Sequence, residues 1–380
     1  MENRAGSFFR QNEGYQSFSP KKLPPSPELK YDSEIMKVLS DADRRLGQLD
    51  GLTQILPTPA LFVTMYVRKE ALLSSQIEGT QASLIDVLSI EEKKISNLHI
   101  VEVSNYVRAM YYGLQRLNEF PLSLRLIKEI HGVLLERGRG SQRSPGEFRR
   151  SQNWIGPAGC TIEDASFIPP TIPVMNQALN DLEKFMHEAD DIPVLIKIGL
   201  IHAQFETIHP FLDGNGRMGR LLITFWLCQQ GILSEPLLYL SYFFKQNRLE
   251  YYDRLMRVRQ KGDWEGWIKF FLSGVREVAD EAISSAKQIL SLREECMKKV
   301  INSNAPGYKN GIKLLDSLFE TPITTKVHAR KYLNLSLPTA SSIVDHFVNL
   351  GILSDYTPNR QRKKRYVFAS YLKILERGTE

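Results

Sequence analysis

His209-Pro210-Phe211-Leu212-Asp213-Gly214-Asn215-Gly216-Arg217-Met218-Gly219-Arg220 is the stretch on which the reading of this chain turns. Gly214 and Gly216 let the backbone turn tightly and let a ligand approach it closely. Their N–H groups, with that of Asn215, are expected at the N-terminus of a helix beginning near Arg217. Free donors and the helix dipole make such a terminus an anion site. Arg217 and Arg220 are three apart and share a helix face. Two guanidiniums beside a glycine loop suit a polyphosphate. Asp213 is one carboxylate beside that cradle, which suits Mg²⁺, an ion that takes one or two carboxylates plus substrate phosphates. His209 is placed to take a proton from a hydroxyl. His202, Glu206 and His209 also form His-x-x-x-Glu-x-x-His, a spacing that can place three metal ligands on one helix face. Pro210 disturbs the last turn, and a metal site leaves the glycine–arginine loop unexplained. His202 is therefore read as structural.

Outward from this stretch the pattern is helical. Apolar positions predict helices over 32–51, 59–76, 81–92, 99–118, 123–137, 172–189, 193–207, 217–230, 248–260, 264–272 and 275–300. Thr58-Pro59 reads as a cap followed by a first-turn proline. Residues 1 to about 30, broken by Pro20, Pro24, Pro25 and Pro27, read as an extended lead-in. Between 145 and 171 glycines and prolines interrupt the helices, and runs at Trp154-Ile155 and Phe167-Ile168 suggest a small hairpin. Residues 302–307 read as a linker. Helices at 310–319, 324–333 and 337–350, then short segments at 352–356 and 366–368, match a winged helix-turn-helix plan.

The 380 residues carry 49 Lys+Arg and 43 Asp+Glu, a net of +6. Residues 310–380 hold 11 and 6 of these, so five of the six positive units sit in the tail. The longest apolar run, Leu221 to Cys228, falls far short of a membrane span, so no membrane association is expected. The start, Met1-Glu2-Asn3-Arg4, has no apolar segment behind it and reads as lacking a signal peptide. Cys160, Cys228 and Cys296 offer no disulfide framework or zinc spacing, and the expected setting is reducing and cytoplasmic.

His209 through Arg220 resembles the Fic family motif, His-Pro-Phe-x-Asp/Glu-Gly-Asn-Gly-Arg-x-x-Arg, and meets its nine constrained positions. The resemblance implies a mainly α fold: a Fic-type helical bundle with a small β-hairpin flap, plus the C-terminal winged helix-turn-helix domain. It implies transfer of AMP from Mg-ATP to a Tyr, Thr or Ser hydroxyl of a target protein or of the chain itself. His209 is then the general base and Asp213 the Mg²⁺ ligand. Gly214, Asn215, Gly216, Arg217, Gly219 and Arg220 form the nucleotide-binding set. The kinase-like branch of the family has Lys where this chain has Gly216, so the resemblance sides with adenylylation. Ser74-Ser75-Gln76-Ile77-Glu78-Gly79 fits the family's inhibitory pattern in its N-terminal, class II position. The implied role of Glu78 is to pair with Arg220 and misplace ATP, with Ser74 on the same helix face.

Ser144 to Arg149, followed by Asn153-Trp154-Ile155-Gly156, resembles the approach to the family's flap, which pairs with the target backbone as an added strand. Trp154, Ile155 and Gly156 are the implied target-binding residues. Tyr251 and Tyr252 resemble the tyrosines near the adenine pocket. The implied organisation is an N-terminal segment at 1–55, a Fic catalytic domain at 56–300 with its inhibitory helix at about 59–79, and a winged-helix-like domain at 301–380.

Alternatives remain at this level. Glu78 could instead position water to remove AMP from a modified target. The chain could be a DNA-binding transcriptional regulator with a nucleotide-sensing body, since Arg360-Gln361-Arg362-Lys363-Lys364-Arg365 places five cations at the expected wing tip. Against base readout, residues 338–350 contain no Arg or Lys. A homodimer that masks or frees Glu78 is a further expectation.

Overall fold

The computed structural model describes residues 3–55, 59–88, 97–303, 307–357 and 364–379. The chain opens with a hairpin of β1 (Gly6–Arg10) and β2 (Gln16–Pro20), antiparallel with Phe8 opposite Phe18. The extended lead-in is thus a folded unit. Its turn closes with Gln11 N–H on the Tyr15 carbonyl at 2.8 Å and needs the positive φ of Gly14. Phe18 is buried against Phe8 and Phe167, so the aromatic pair anchors the hairpin to the body.

Helices follow, interrupted chiefly by the irregular stretch 135–171. They are α1 (Ser33–Ile55), α2 (Pro59–Ile77), α3 (Leu84–Leu88), α4 (Leu98–Leu117), α5 (Leu124–Leu134) and α6 (Ile172–His187). Next come α7 (Val194–Ile208), α8 (Asn215–Gln229), α9 (Ser241–Gln246), α10 (Arg248–Lys261) and α11 (Trp264–Asn302). The expected Thr58 cap and the end of the 81–92 helix lie outside the described residues. Asp32 caps α1 through Ile35 N–H at 2.8 Å, and Asn97 and Ser123 cap α4 and α5. The two helices expected at 264–272 and 275–300 are one. Gly274 does not break it: an added Cβ there would meet the Phe243 ring at 2.5 Å, so the glycine permits close approach of α9.

Helices α7 and α8 form the centre. Every residue from Leu195 to Ile208 is buried, because α6, α8, α10 and α11 surround α7. Helix α2 is enclosed by α4, α8, α9 and α12 (Tyr308–Glu320). The C-terminal segment continues with β3 (Ile323–Thr324), α13 (Lys326–Leu333), α14 (Leu337–Asn349), β4 (Ser354–Asp355), β5 (Tyr366–Val367) and α15 (Ala369–Leu375). Its three strands form an antiparallel sheet in the order β3-β5-β4. Residues 358–363, including Arg360, Gln361, Arg362 and Lys363, lie outside the described residues, as does part of the expected linker. Helix α15 packs back on α11, and Gln76 of α2 donates to the Thr379 carbonyl at 3.2 Å, so this segment is packed directly onto the body. Among the described residues no helix is long and apolar enough to cross a membrane.

Candidate active site

The loop between α7 and α8 is built by backbone geometry. His209 caps α7 in the left-handed region, φ 49° and ψ 60°, with its N–H on the Phe205 carbonyl at 2.9 Å. Gly214 caps α8, also left-handed, and α8 begins at Asn215, two residues earlier than expected. The Asn215 side chain bonds both the N–H and the carbonyl of Phe211 at 2.8 Å, so it closes the loop while its backbone stands at the helix start. His131 braces the same loop. Gly146 donates its N–H to His131 Nδ1 at 2.9 Å, so Nε2 carries the proton and donates to the Asp213 carbonyl at 2.9 Å. The His131 ring stacks on Phe211 with centroids 3.6 Å apart.

The donors at this helix start are incompletely used. Arg217 is buried, and only Nη2 finds a partner, Asp213 Oδ1 at 3.3 Å. Its Nε and Nη1 are buried without one. Such unpaired charged donors are costly unless a ligand completes them. Asp213 Oδ1 also accepts from Gly214 N–H at 2.6 Å. Its Oδ2 faces Gly140, where an added Cβ would come within 2.7 Å. Among the described residues no group of three or more His, Cys, Asp or Glu could hold a metal ion. One carboxylate therefore fits Mg²⁺ here only with phosphate oxygens as the remaining ligands.

Glu78 stands over this site. Arg220, fully buried, donates to Ser74 Oγ at 2.8 Å, to the Ser74 carbonyl at 3.0 Å and to Glu78 Oε1 at 2.7 Å. Burial pushes the Glu78 carboxyl up, but Arg220, with Arg217 and His209, outweighs it and holds the group below its ordinary value. Glu78 lies one residue beyond α2, in a turn where its N–H reaches the Ser75 carbonyl at 3.1 Å. An added Cβ on Gly216 would sit 2.3 Å from Glu78 Oε1, so glycine is what lets the carboxylate lie against the start of α8. Gly219 faces the other way. Its Cβ position lies 2.5 Å from Glu206 Oε1 on α7, and its carbonyl accepts from His202 Nδ1 at 2.9 Å. It is a packing glycine at a position the motif leaves unconstrained, and only adjacency had put it in the nucleotide-binding set.

His202 is structural, as expected: its Nε2 accepts from the Tyr251 hydroxyl at 2.9 Å. Tyr251 is buried in that contact, whereas Tyr252 is 38% exposed and presents a ring face, with Arg248 over it. Of the two, Tyr252 is the one with exposed ring surface. The flap is slighter than a full hairpin, a single antiparallel bridge between Ile155 and Phe167. Trp154 is 42% exposed and donates from Nε1 to the Cys160 carbonyl at 3.0 Å. Gly156 leaves room for Cys160 Sγ. The Phe18 N–H donates to the Ile168 carbonyl at 3.0 Å, so β2 is tied to the second arm of this stretch.

His131, Glu206, Arg139 and Gly140 shape the site without having been singled out for it. Arg139 donates to the Glu78 carbonyl at 3.1 Å and pairs with Glu102 at 3.4 Å. His131, Arg139 and Gly140 lie far from the motif in sequence and bear no pattern of their own, whereas Glu206, three residues before His209, was read only within the metal-ligand spacing.

The fold and this loop define a mainly helical protein organised round a glycine–arginine loop at the start of α8. Residues 36–115 match the profile of the Fic/DOC family N-terminal domain and residues 121–227 that of the Fic/DOC family. The chain thus carries a Fic/DOC N-terminal domain followed by a Fic/DOC domain. It is 28% identical over 215 residues to the protein adenylyltransferase Fic of Aedes aegypti, covering 54% of this chain and 39% of the relative. It is 28% identical over 179 residues to a probable protein adenylyltransferase of Aquifex aeolicus, covering 46% and 51%. The chain thus spans about half or less of the length of these relatives. A Fic family protein from Desulfovibrio desulfuricans shares the fold over 90% of this chain and 97% of its own, with a TM-score of 0.57 at 18% identity. A Fic domain signalling protein from Bacteroides thetaiotaomicron does so over 67% and 97%, with a TM-score of 0.51 at 19% identity.

Proposed function

We propose that this chain transfers AMP from Mg-ATP to a Tyr, Thr or Ser hydroxyl of a target protein or of itself, and that Glu78 holds it inactive. The observation that carries the proposal is the charge arrangement at the start of α8. Arg217 keeps two buried nitrogens unpartnered, while the neighbouring Arg220 is occupied by Glu78. A polyphosphate supplies what Arg217 lacks and competes with Glu78 for Arg220.

His209 takes the proton of the target hydroxyl as its oxygen bonds to the α-phosphorus, and the bond to the pyrophosphate oxygen breaks. Burial, then Arg259 and Arg149, hold the imidazole pKa down to about 3, so it is neutral and able to accept a proton throughout the physiological range. Arriving phosphate charge opposes those two cations and raises its basicity. Asp213 and the phosphate oxygens would hold Mg²⁺, which neutralises charge on the leaving pyrophosphate. Gly216, with no room for a side chain beneath Glu78, supports adenylylation over the kinase-like branch.

The C-terminal segment serves as an accessory module. Lys364 is paired with Asp355 and Lys326 with Asp345, both at 2.7 Å, and α14 carries no Arg or Lys. Base readout in DNA is therefore poorly provided for. Mass spectrometry of wild type and Glu78→Gly after incubation with Mg-ATP tests the main reading. A gain of AMP on the variant is expected. Label transferred from γ-labelled but not α-labelled ATP refutes it.

A further inference from the structure

Arg149 is a buried cation, 2% exposed, on the approach to the flap. Its described hydrogen bonds all go to backbone carbonyls. Nε donates to His209 at 3.1 Å, Nη1 to Ser151 at 3.3 Å, and Nη2 to Pro170. Its own N–H donates to the Pro210 carbonyl at 2.8 Å. Asn153 repeats the pattern, with Nδ2 donating to the His209 carbonyl at 3.2 Å and to that of Phe211 at 2.8 Å. Ser151 and Pro170 flank the Ile155–Phe167 bridge, one on each arm of the flap.

Two costs at this place call for a return. A buried guanidinium without a carboxylate is unfavourable, and burial lowers the Arg149 pKa to about 10. A histidine in the left-handed region is strained where glycine is usual. Both are met by one arrangement. The carbonyls left open at the end of α7 accept from cations, Arg149 at His209 and Arg259 at Glu206, at the end of the helix where positive charge is favoured.

We propose that Arg149, with Asn153, is a positioning residue that staples both arms of the flap to the His209 carbonyl and so sets the base against the strand on which the target hydroxyl is presented. The proposal rests on the adenylyltransferase reading and goes beyond it. A cradle for ATP at α8 and a flap for the target are separate pieces. Only a rigid link between them brings hydroxyl, base and α-phosphorus into line. The groups facing the imidazole are Arg259 on α10, Arg149, and Glu78 after α2.

The test uses the full chain in the Glu78→Gly background, with self-labelling from α-labelled ATP. Arg149→Lys keeps the charge and loses the fork. Arg149→Met loses both, and Asn153→Ala loses only the amide. Each is expected to lower kcat by about 100-fold, the order of loss that a misplacement of about 1 Å brings. KM and equilibrium Kd for ATP should stay within about threefold of the parent, as the phosphate cradle is untouched. In Arg149→Met the acidic limb of the pH profile moves to higher pH, because a cation beside the imidazole is gone, while in Arg149→Lys it stays. Full activity in Arg149→Lys, or losses that track ATP affinity or the melting temperature, overturns the proposal. If Glu78→Gly itself never labels, the functional reading has failed. The staple is then judged by the His209 imidazole NMR resonance, which should shift between wild type and Arg149→Lys, and an unchanged resonance overturns it.

Discussion

Replacing Glu78 by glycine should switch the enzyme on, and the structure sets the size of the effect. Glu78 Oε1 lies 2.7 Å from Arg220 Nη2. Two charges about 4 Å apart between centres interact by about 4 kcal/mol at the effective dielectric of about 20 suited to such sites. The Glu78 side chain is 32% exposed, so solvent discounts the pair to about 2–3 kcal/mol. That energy opposes any nucleotide needing Arg220 in the same place. At about 1.4 kcal/mol per factor of ten, Glu78→Gly should raise the initial rate of AMP transfer by about 30–150-fold. Arg220 itself stays ordered, because Ser74 supplies two acceptors that do not depend on Glu78. The assay is label transfer from α-labelled ATP at subsaturating concentration, beside the ATP Kd of both proteins. A rate within about twofold of wild type, with ATP bound equally well, would refute the reasoning. The sign of the pH effect is also set. A folded-state pKa below the ordinary value keeps the pair intact above the usual carboxylate range and releases it only as pH falls through the lowered value. The ratio of variant to wild-type rate should therefore be flat from pH 6 to 8.

Three further outcomes follow from the same site. Arg217→Met should raise the melting temperature without nucleotide, by the equivalent of about 1–3 kcal/mol for removing unpartnered buried donors, and should abolish stabilisation by ATP; thermal scans with and without ATP decide, and a lower melting temperature without nucleotide counts against it. Glu206, buried with Oε1 unpartnered, is pushed up to about pKa 7 by burial, so its contribution to stability is intact below its ordinary value and fades as pH rises towards 7. Glu206→Gln should accordingly gain on wild type in melting temperature from pH 5 to pH 8, and a constant gap would exclude this. Gly216→Ala should cost about 1–3 kcal/mol in wild type, where the methyl meets Glu78 Oε1, and clearly less in the Glu78→Gly background. Equal costs in a double-mutant cycle would show that the two positions do not touch.

What was legible in the sequence and what was not divides along physical lines. The loop could be read because its residues are consecutive: His209, Asp213, Gly214, Gly216, Arg217 and Arg220 fall within two turns and a cap. The helices could be read from period alone, although one helix was read as two, 264–272 and 275–300, across a glycine that serves close packing against Phe243. Phe8 and Phe18 went unread as a strand pair because two five-residue strands carry little pattern until a partner surface such as Phe167 exists. Gly219 was drawn into the nucleotide set by adjacency, yet a shift of three residues from Gly216 and a neighbouring helix put it against Glu206. Tyr251 and Tyr252 could not be separated by sequence, since burial distinguishes them and burial is a property of the fold.

If Glu78 has the inhibitory role proposed for it, its position would let it be both firmly placed and removable. Helix α2 is locked along its length: Glu70 accepts from the Tyr106 hydroxyl at 2.9 Å and from Ser241 N–H at 3.1 Å, and Gln76 reaches the Thr379 carbonyl. Moving the helix as a body means breaking those buried contacts. Glu78, however, lies past its last turn, beside Gly79, which has φ +92° and no atom within 4 Å of where a Cβ would be. Arg139 holds the Glu78 backbone from outside, through the carbonyl and through Glu102, which also accepts from Thr80 Oγ1 at 2.6 Å. The helix therefore supplies the aim, the glycine the freedom to leave, and Arg139 the latch. Release needs one side chain and one turn to move. Arg139→Ala should loosen the turn while leaving the Arg220 pair itself intact, giving activation well below that of Glu78→Gly. Activation equal to that of Glu78→Gly would mean that the backbone latch, and not the ion pair, is what holds the site closed.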